Sequence, residues 1–582
     1  MSVEQLPIFC FYDVQRFRQF GSQDCANWYG ITAPTGKQKQ ALYPAMGRKH
    51  INYQGRNRLI FNSQPRDIFK TIDFMYVIVG PRLYAFDKNF NQQVVSNNIS
   101  LTGEPWFDFL AVGTLVYAML TDGENIHLIT ENNGSVTSEI VTDGNRPPDP
   151  VYVAAFGNRF VVSSNNSNVF YLSAINVAGG ASACFTINNS PLFASATGVI
   201  RQFGVLHGQL YIFNDYTTDV WANIQTNITV GSVTRTFPWK LNTSYNYDYG
   251  MADPLSLSID FGRMVWLARS KGGLVSYMVS DGQAPQDMDT QAINVLLERT
   301  TENDKLNPFL SGNSDGFLYQ WENTIFYRSL AGKYMDFGIL DVENSANAIE
   351  YNFDTKTWAR VIELNGERNR IQKHVYFADV HIVIVEFDAA LYEMAGDIYY
   401  NELLNPDRTS DQSLDAFNPY PMRYELTTMQ IFQPDYSEFI DDYLEIDFVF
   451  GYQTPYRSDA PFANTTFIVD ETSTDEIPVY LITEDGSYII DESGNTPTFY
   501  DNHYNALFKP HIELYYSDDG GITFITADNR EFSPLGQYRW KMRWYELSVS
   551  RNRCYKLVCV SPSPIVILGG VRNTRRASGG AN

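Results

Sequence analysis

Residues 75–87 read MYVIVGPRLYAFD. Five strand-favouring residues precede Gly80-Pro81, and five more follow. Gly and Pro supply the backbone freedom and rigidity of a tight reversal, so the stretch reads as antiparallel strands Met75–Val79 and Arg82–Phe86. The same pattern recurs outward along the chain. LVYAMLTDGENIHLIT predicts strands Leu115–Leu120 and Ile126–Thr130. RFVVSSNNSNVFYLS turns at Asn165–Asn168, and QLYIFNDYTTDVW ends on Trp221. RMVWLARSKGGLVSYMV turns at Lys271–Gly273, and FLYQWENTIFYRSL turns near Glu322–Asn323. IEYNFDTKTWARV and IVIVEFDAALYEM are grouped as one shared unit. Amphipathic helical patterns are scarce.

Hairpin starts recur every 40–55 residues or so, about the length of one four-stranded propeller blade. A lone hairpin is marginal in water and leaves an unpaired edge. Radial stacking buries both faces of each blade. The expected fold is therefore all-β: a β-propeller of six or seven irregular blades over residues 71–425, with a series of β-sandwiches as the rival. The repeats carry no WD or kelch signature.

Beyond residue 426 the pattern changes. YLEIDFVF (443–450) is one long alternating strand, and 509–571 is again regular β. Residues 426–457 and 509–571 are expected to form a C-terminal β domain. Between them, 458–508 contains no Lys or Arg and carries Asp470, Glu471, Asp475, Glu476, Glu484 and Asp485. This stretch reads as an inserted acidic β-flap or tip and a candidate channel gate. Residues 572–582 read as a flexible tail.

The chain has 582 residues, 66 Asp and Glu against 43 Lys and Arg, and a net charge of -23. That surplus argues against tight duplex-DNA binding, which needs cations to displace counterions. Residues 1–70 nevertheless carry ten Lys/Arg against four Asp/Glu. This basic segment is expected to act as a docking platform, with Arg48, Lys49, Arg56 and Arg58 as candidate contacts. Five cysteines without a Cys-x-x-Cys predict neither a disulfide framework nor a zinc knuckle, and favour assembly in a reducing cytoplasm. The first residues lack a signal-peptide pattern, and no apolar run is long enough for a membrane helix.

Few motifs carry chemistry. Ser517, Asp519, Gly520, Gly521, Thr523 and Phe524 match the Asp-box pattern, whose physics is a hairpin turn. Gly312-Asn313-Ser314-Asp315-Gly316 has nucleophile-elbow spacing, but a hairpin follows where a helix is required. His374 and His381 lie seven apart and read as ordinary structural or surface residues. No phosphate loop, dinucleotide fingerprint or metal-ligand spacing appears, so no catalytic residue, metal or cofactor is expected.

Two segments carry a family likeness. RQFGSQDCANWYGITAPTGKQKQALYPAMGRKHI resembles the opening of the tail-hub, or nozzle, proteins of short-tailed bacteriophages. The matching positions are Asp24, Cys25, Asn27, Tyr29, Lys37, Lys39, Leu42, Pro44 and Gly47. YYSDDGGITF followed by LGQYRWKMRWYELSVSRNRCYKLVCVSPSPIVILGG is similar to the family's close, through Leu535, Gly536, Tyr538, Trp544, Arg551, Arg553, Pro564, Ile567 and Gly569. The family's second glycine is replaced, since Gln537 follows Gly536 directly. Residues 211–221 resemble a propeller strand pair closing on an acidic residue and Trp.

The resemblance implies a non-enzymatic virion protein of the tail, assembled in the host cytoplasm as a six-fold homo-oligomeric ring. The ring would extend the channel below the portal and adaptor and meet needle, fibre or tip proteins. It would retain double-stranded DNA and conduct it without reading its sequence. Acidic or mixed walls would let DNA slide. The alternatives are a glycan-cleaving, sialidase-like propeller and a receptor-binding adhesin. Against the first, the chain has one Asp box and no Arg-Ile-Pro element.

Overall fold

The computed structural model describes residues 2–15, 21–32, 40–51, 59–185, 192–193, 198–230, 233–242, 246–303, 314–331, 347–404, 417–450, 479–480, 498–499, 511–531, 539–545, 547–561 and 563–577. Seven sheets follow one another around an axis. The first pairs Pro65–Lys70, Phe74–Val79, Arg82–Asp87 and Gln92–Ser96 in sequence order. The second runs Trp106–Val112, Leu115–Thr121, Ile126–Asn132 and Ser135–Ile140. The third begins at Pro150–Phe156 and the fourth at Ile200–Leu206. The fifth is built on Arg263–Ser270 and Val275–Ser280, and the sixth runs from Gly316–Trp321 to Thr357–Arg360. The seventh holds Ile371–Phe377, Val380–Val385 and Leu391–Ala395.

Packing shows that these sheets close into a propeller. Tyr76 and Ile78 of the first blade share a buried cluster with Ala118 and Leu120 of the second. Equivalent apolar clusters fill each successive gap around the ring. The last joins Val375, Ile382 and Ile384 of the seventh blade to Ile68, Val77 and Phe86 of the first. Seven blades with seven filled gaps leave no blade with a bare face, which is the energetic reason for closure.

Polar groups brace the same gaps. Asp108 on the inner strand of the second blade accepts Phe109 N and, across the gap, Ala155 N at 2.7 Å. Ser258 of the fifth blade accepts Leu318 N of the sixth at 2.9 Å. Burial pushes the Asp67 carboxyl of the first blade up to about 7, even beside Lys373 of the seventh. The sole α-helix among the described residues, Gln291–Asn303, lays Ala292, Ile293, Leu296 and Leu297 against the gap between the fifth and sixth blades.

Several expectations are corrected here. The two segments grouped as one unit fall in different blades: Asn347–Asn352 and Thr357–Arg360 close the sixth, while Val380–Val385 and Leu391–Ala395 lie in the seventh. The described part of residues 1–70 is not a separate platform. Gly47–His50 supplies the outer strand of the seventh blade, with His50 opposite Tyr392 and Gly47 opposite Ala395. A Cβ on Gly47 would stand 2.4 Å from the Tyr400 carbonyl oxygen, so only glycine fits that crossing.

The remaining amino-terminal strands enter a β-sandwich. One of its sheets orders Trp28–Thr32, Gln40–Pro44, Ile565–Arg576, Phe439–Phe450 and Arg539–Tyr545, with Ser2–Leu6 also paired to Ile565–Arg576. The facing layer pairs Ser22–Ala26, Phe417–Thr427, Asn552–Ser561, His511–Ser517 and Ile525–Glu531. Trp28, Leu42, Tyr424, Leu426, Ile446, Phe448, Trp544 and Leu557 fill the space between them. The tail is likewise not free from 572: the strand continues through Arg576, and buried Arg572 bonds Asp441 at 3.3 Å. The cysteine expectation is also overturned. Cys10 and Cys25 form a disulfide with Cα atoms 5.2 Å apart, and Cys184, Cys554 and Cys559 are buried thiols outside any disulfide. Strand pairing, not sequence spacing, brings those two thiols together.

Candidate docking face and the propeller–sandwich junction

Arg48 was expected to be an exposed docking contact. Its side chain is fully buried, because it points inward from the closing strand of the seventh blade. Its guanidinium holds Glu363 through two bonds of 2.7 and 3.2 Å, and its Nε donates to the Glu402 carbonyl. Lys49 is also mostly buried, 3.9 Å from Glu393. Arg48 is therefore not an exposed cation, and Lys49 lies mostly within the seventh blade. Arg56 and Arg58 lie outside the described residues. So do Asp470, Glu471, Asp475, Glu476, Glu484 and Asp485; of 458–508 only the short pairing of Val479–Tyr480 with Thr498–Phe499 is described.

The Asp box is a turn. Asp519 accepts Ser517 Oγ at 2.6 Å, Ile522 N at 2.9 Å and Thr523 N at 3.0 Å. Its slight burial pushes the carboxyl up, but these bonds outweigh it and hold the group well below the ordinary carboxylate range. Gly520 and Gly521 adopt φ of 82° and 85°, and Lys556 lies over the Phe524 ring. Ser314, at the centre of the Gly-x-Ser-x-Gly match, is fully buried, and its amide donates to Asp253 Oδ2 at 2.9 Å. It is a strand-entry residue and not an exposed nucleophile.

A row of exposed cations sits elsewhere, on Arg539–Tyr545. Alternation puts Met542 and Trp544 in the core and Arg539, Lys541 and Arg543 outside, at 64%, 59% and 45% exposure. Alternate residues on a strand stand about 7 Å apart, so these three form a ladder along the last strand of the sheet. They share two carboxylates on the neighbouring strand: Arg539 with Asp447, Lys541 and Arg543 with Glu445. Arg575 and Arg576 extend the basic surface, paired to Asp442 and Asp435. Exposed ion pairs of this kind are worth about 1 kcal/mol or less, so their cations can be exchanged to an external anion cheaply. The signal was present in the sequence as Arg-Trp-Lys-Met-Arg-Trp-Tyr, a period-2 alternation of charged and apolar side chains.

A second cluster joins propeller to sandwich. Asn27, at φ 58°, donates to the carbonyls of Ile362 and Arg423 at 2.8 and 2.6 Å and accepts Ile362 N at 3.1 Å. Asp24 holds Arg360 at 2.9 Å, and Arg360 also reaches Glu425. Burial pushes the Glu425 carboxyl up, but Lys556, Arg360 and Arg423 together hold it at about 2. Trp28 Nε1 donates to the Ile565 carbonyl at 2.9 Å. The two histidines are a part-buried pair in the seventh blade. His374 Nε2 lies 2.9 Å from His381 Nδ1, with Phe317 and Tyr319 of the sixth blade against them. Burial, then each other's proximity and that of Lys70 and Arg328, keeps His374 well below its ordinary value. Burial lowers His381 too. Among the described residues, no group of three His, Cys, Asp or Glu is placed to hold a metal ion, and no helix is long and apolar enough to cross a membrane.

No protein-family model matches the chain, and no curated protein matches it. Among solved structures it is similar to the WD40 domain of Neurospora crassa Pan2, at 7% identity and a TM-score of 0.35, covering 61% of this chain and 95% of that one. It is also similar to Kluyveromyces lactis Hsv2 at 11% identity and a TM-score of 0.25, covering 58% and 97%. A family 43 arabinoxylan arabinofuranohydrolase from Bacillus subtilis aligns at 8% identity and a TM-score of 0.23, covering 95% and 96%. All three scores are too low to bear on what this protein does.

Proposed function

We propose that the chain is a structural subunit of a short phage tail, a rigid wall element of a ring that prolongs the DNA exit channel. The observation that carries this reading is the meeting of the two family-like segments. Asp24 and Asn27 of the opening motif bond Arg360 and Ile362 at the end of the sixth blade, while Trp28 beside them packs with Ile565 and Trp544 of the closing motif in the sandwich core. A body braced in this way resists shear between its two parts, as a wall under internal pressure must. In this proposal the Arg539–Arg543 ladder replaces the amino-terminal basic segment as the contact for an acidic neighbour, and DNA passes without base readout.

The test is co-expression with candidate portal and adaptor proteins, followed by negative-stain imaging. Hollow rings or tubes containing this chain are the expected result. Compact monomers with every candidate, or release of sugar from host surface polysaccharide by the purified chain, would overturn the proposal.

A further inference from the structure

Three ionisable side chains meet where the propeller closes. Lys373 stands on the first strand of the seventh blade, Asp315 directly before the first strand of the sixth, and Asp67 on the first strand of the first. Two of these strands shift register at this level, between Ile371 and Lys373 and between Pro65 and Asp67. Such bulges re-aim side chains and are common beside active sites. Lys373 Nζ lies 2.8 Å from Asp315 Oδ1 and 3.8 Å from Asp67 Oδ2. The closer contact is one of distance and not of direction, for Asp315 Oδ1 has no hydrogen-bond partner. Asp315 and Asp67 are 7% and 4% exposed, and the Lys373 side chain 19%. Leu330 N donates to the Asp315 carbonyl at 2.9 Å and fixes its backbone. An amine, a carboxyl group and a second buried carboxyl are thus held together, largely out of water.

We propose that Lys373 and Asp315 condense to a side-chain amide, a covalent tie between the seventh and sixth blades, with Asp67 as general acid and base. Lys373 first passes a proton to the Asp315 carboxylate. The neutral amine then attacks Asp315 Cγ and forms the C–N bond. Asp67 gives its proton to the departing hydroxyl and takes one from the new nitrogen. One water leaves, Asp67 ends as it began, and no oxidant or cofactor is consumed. Burial raises Asp67 to about 7, which supplies the protonated form this role requires. Burial also works against the charge on Lys373, but Asp315, then Asp67 and Glu104, hold its ammonium above the ordinary range. Release of the free amine is therefore the slow step. Positioning offsets it, since groups fixed in contact reach effective concentrations of about 10⁵ M or more. The product also removes a buried ion pair. The tie does not depend on the tail reading.

Mass measurement of the full chain, kept folded for a week at pH 7 and then reduced and unfolded, tests this. A mass below that of the sequence by one water is expected. Digestion should yield a branched peptide joining Lys373 to Asp315, with no tryptic cleavage after Lys373. Asp315→Asn should form the same tie by losing ammonia, whereas Lys373→Arg should keep its full mass. Asp67→Asn should slow the loss of water about a hundredfold. The wild-type mass and its branched peptide decide the matter even if a variant fails to fold. A full sequence mass after the week, a branch from Lys373 to Asp67 or any other carboxyl, or a loss of water that persists in Lys373→Arg, would overturn the proposal.

Discussion

Acidification should weaken this fold through His374 and His381. The pair is joined by one hydrogen bond, so one ring nitrogen donates and the other must keep a lone pair. Lys70 and Arg328 face the same space, and Glu350 is already committed to Arg328 at 2.8 Å. A second proton on the pair therefore has no compensating anion. Both folded-state values are lowered, so the unfolded chain takes up protons first, from its ordinary value near 6.5. Stability from the pair is complete above that pH and falls as pH drops below it. Each proton bound only by the unfolded chain costs about 1.4 kcal/mol per pH unit. From pH 6.5 to 5 that is about 2 kcal/mol for His374, with a smaller share from His381. Asp67 and Asp108, raised to about 7 and about 6, work in the opposite sense over the same range. The informative quantity is thus the difference between the wild type and a His374→Gln/His381→Gln variant. Urea unfolding followed by tryptophan fluorescence at pH 7.5, 6.5, 5.5 and 5.0 gives it. Wild-type stability should fall relative to the variant by about 2 kcal/mol across the last three points. Parallel curves would refute the argument.

Other consequences follow from the same contacts. Arg48→Ala removes the buried cation facing Glu363, which keeps Asn369, Arg370 N and Asn401 as donors, and should cost about 3 kcal/mol; thermal unfolding of the isolated chain checks this. Arg539→Gln/Lys541→Gln/Arg543→Gln should leave the melting temperature within a few degrees while reducing ring yield on co-expression, read by size-exclusion chromatography. Cys10→Ser/Cys25→Ser closes no loop across 15 residues of separation and should lose about 3 kcal/mol, seen as a lower urea midpoint that reductant no longer shifts. Asp289, pushed up to about 8 by burial and then by Asp287, loses its stability contribution as pH rises through that range. Asp289→Asn should therefore flatten the stability profile between pH 5 and 8, measured by the same urea series.

The local architecture was legible in the residues themselves. Met75–Asp87 and its counterparts alternate β-branched and aromatic side chains around Gly, Asn and Asp turns, and each hairpin closes within about 15 residues, so period and turn chemistry suffice. The Asp box is equally local: Asp519 accepts from Ser517, Ile522 and Thr523, all within four residues. The partners that decide the site are not local. Arg48 meets a residue 315 positions away, Asn27 one 396 away, and Trp28 one 537 away. Nothing in the flanking sequence of Gly47–His50 distinguishes an exposed basic strand from the strand that closes a propeller, since both alternate in the same way. Charge counting over residues 1–70 therefore treats Arg48 as an exposed cation, although the seventh blade buries it. Side-chain periodicity is set by the strand itself, whereas which face becomes interior is set by the sheet it joins, and that choice belongs to the whole chain.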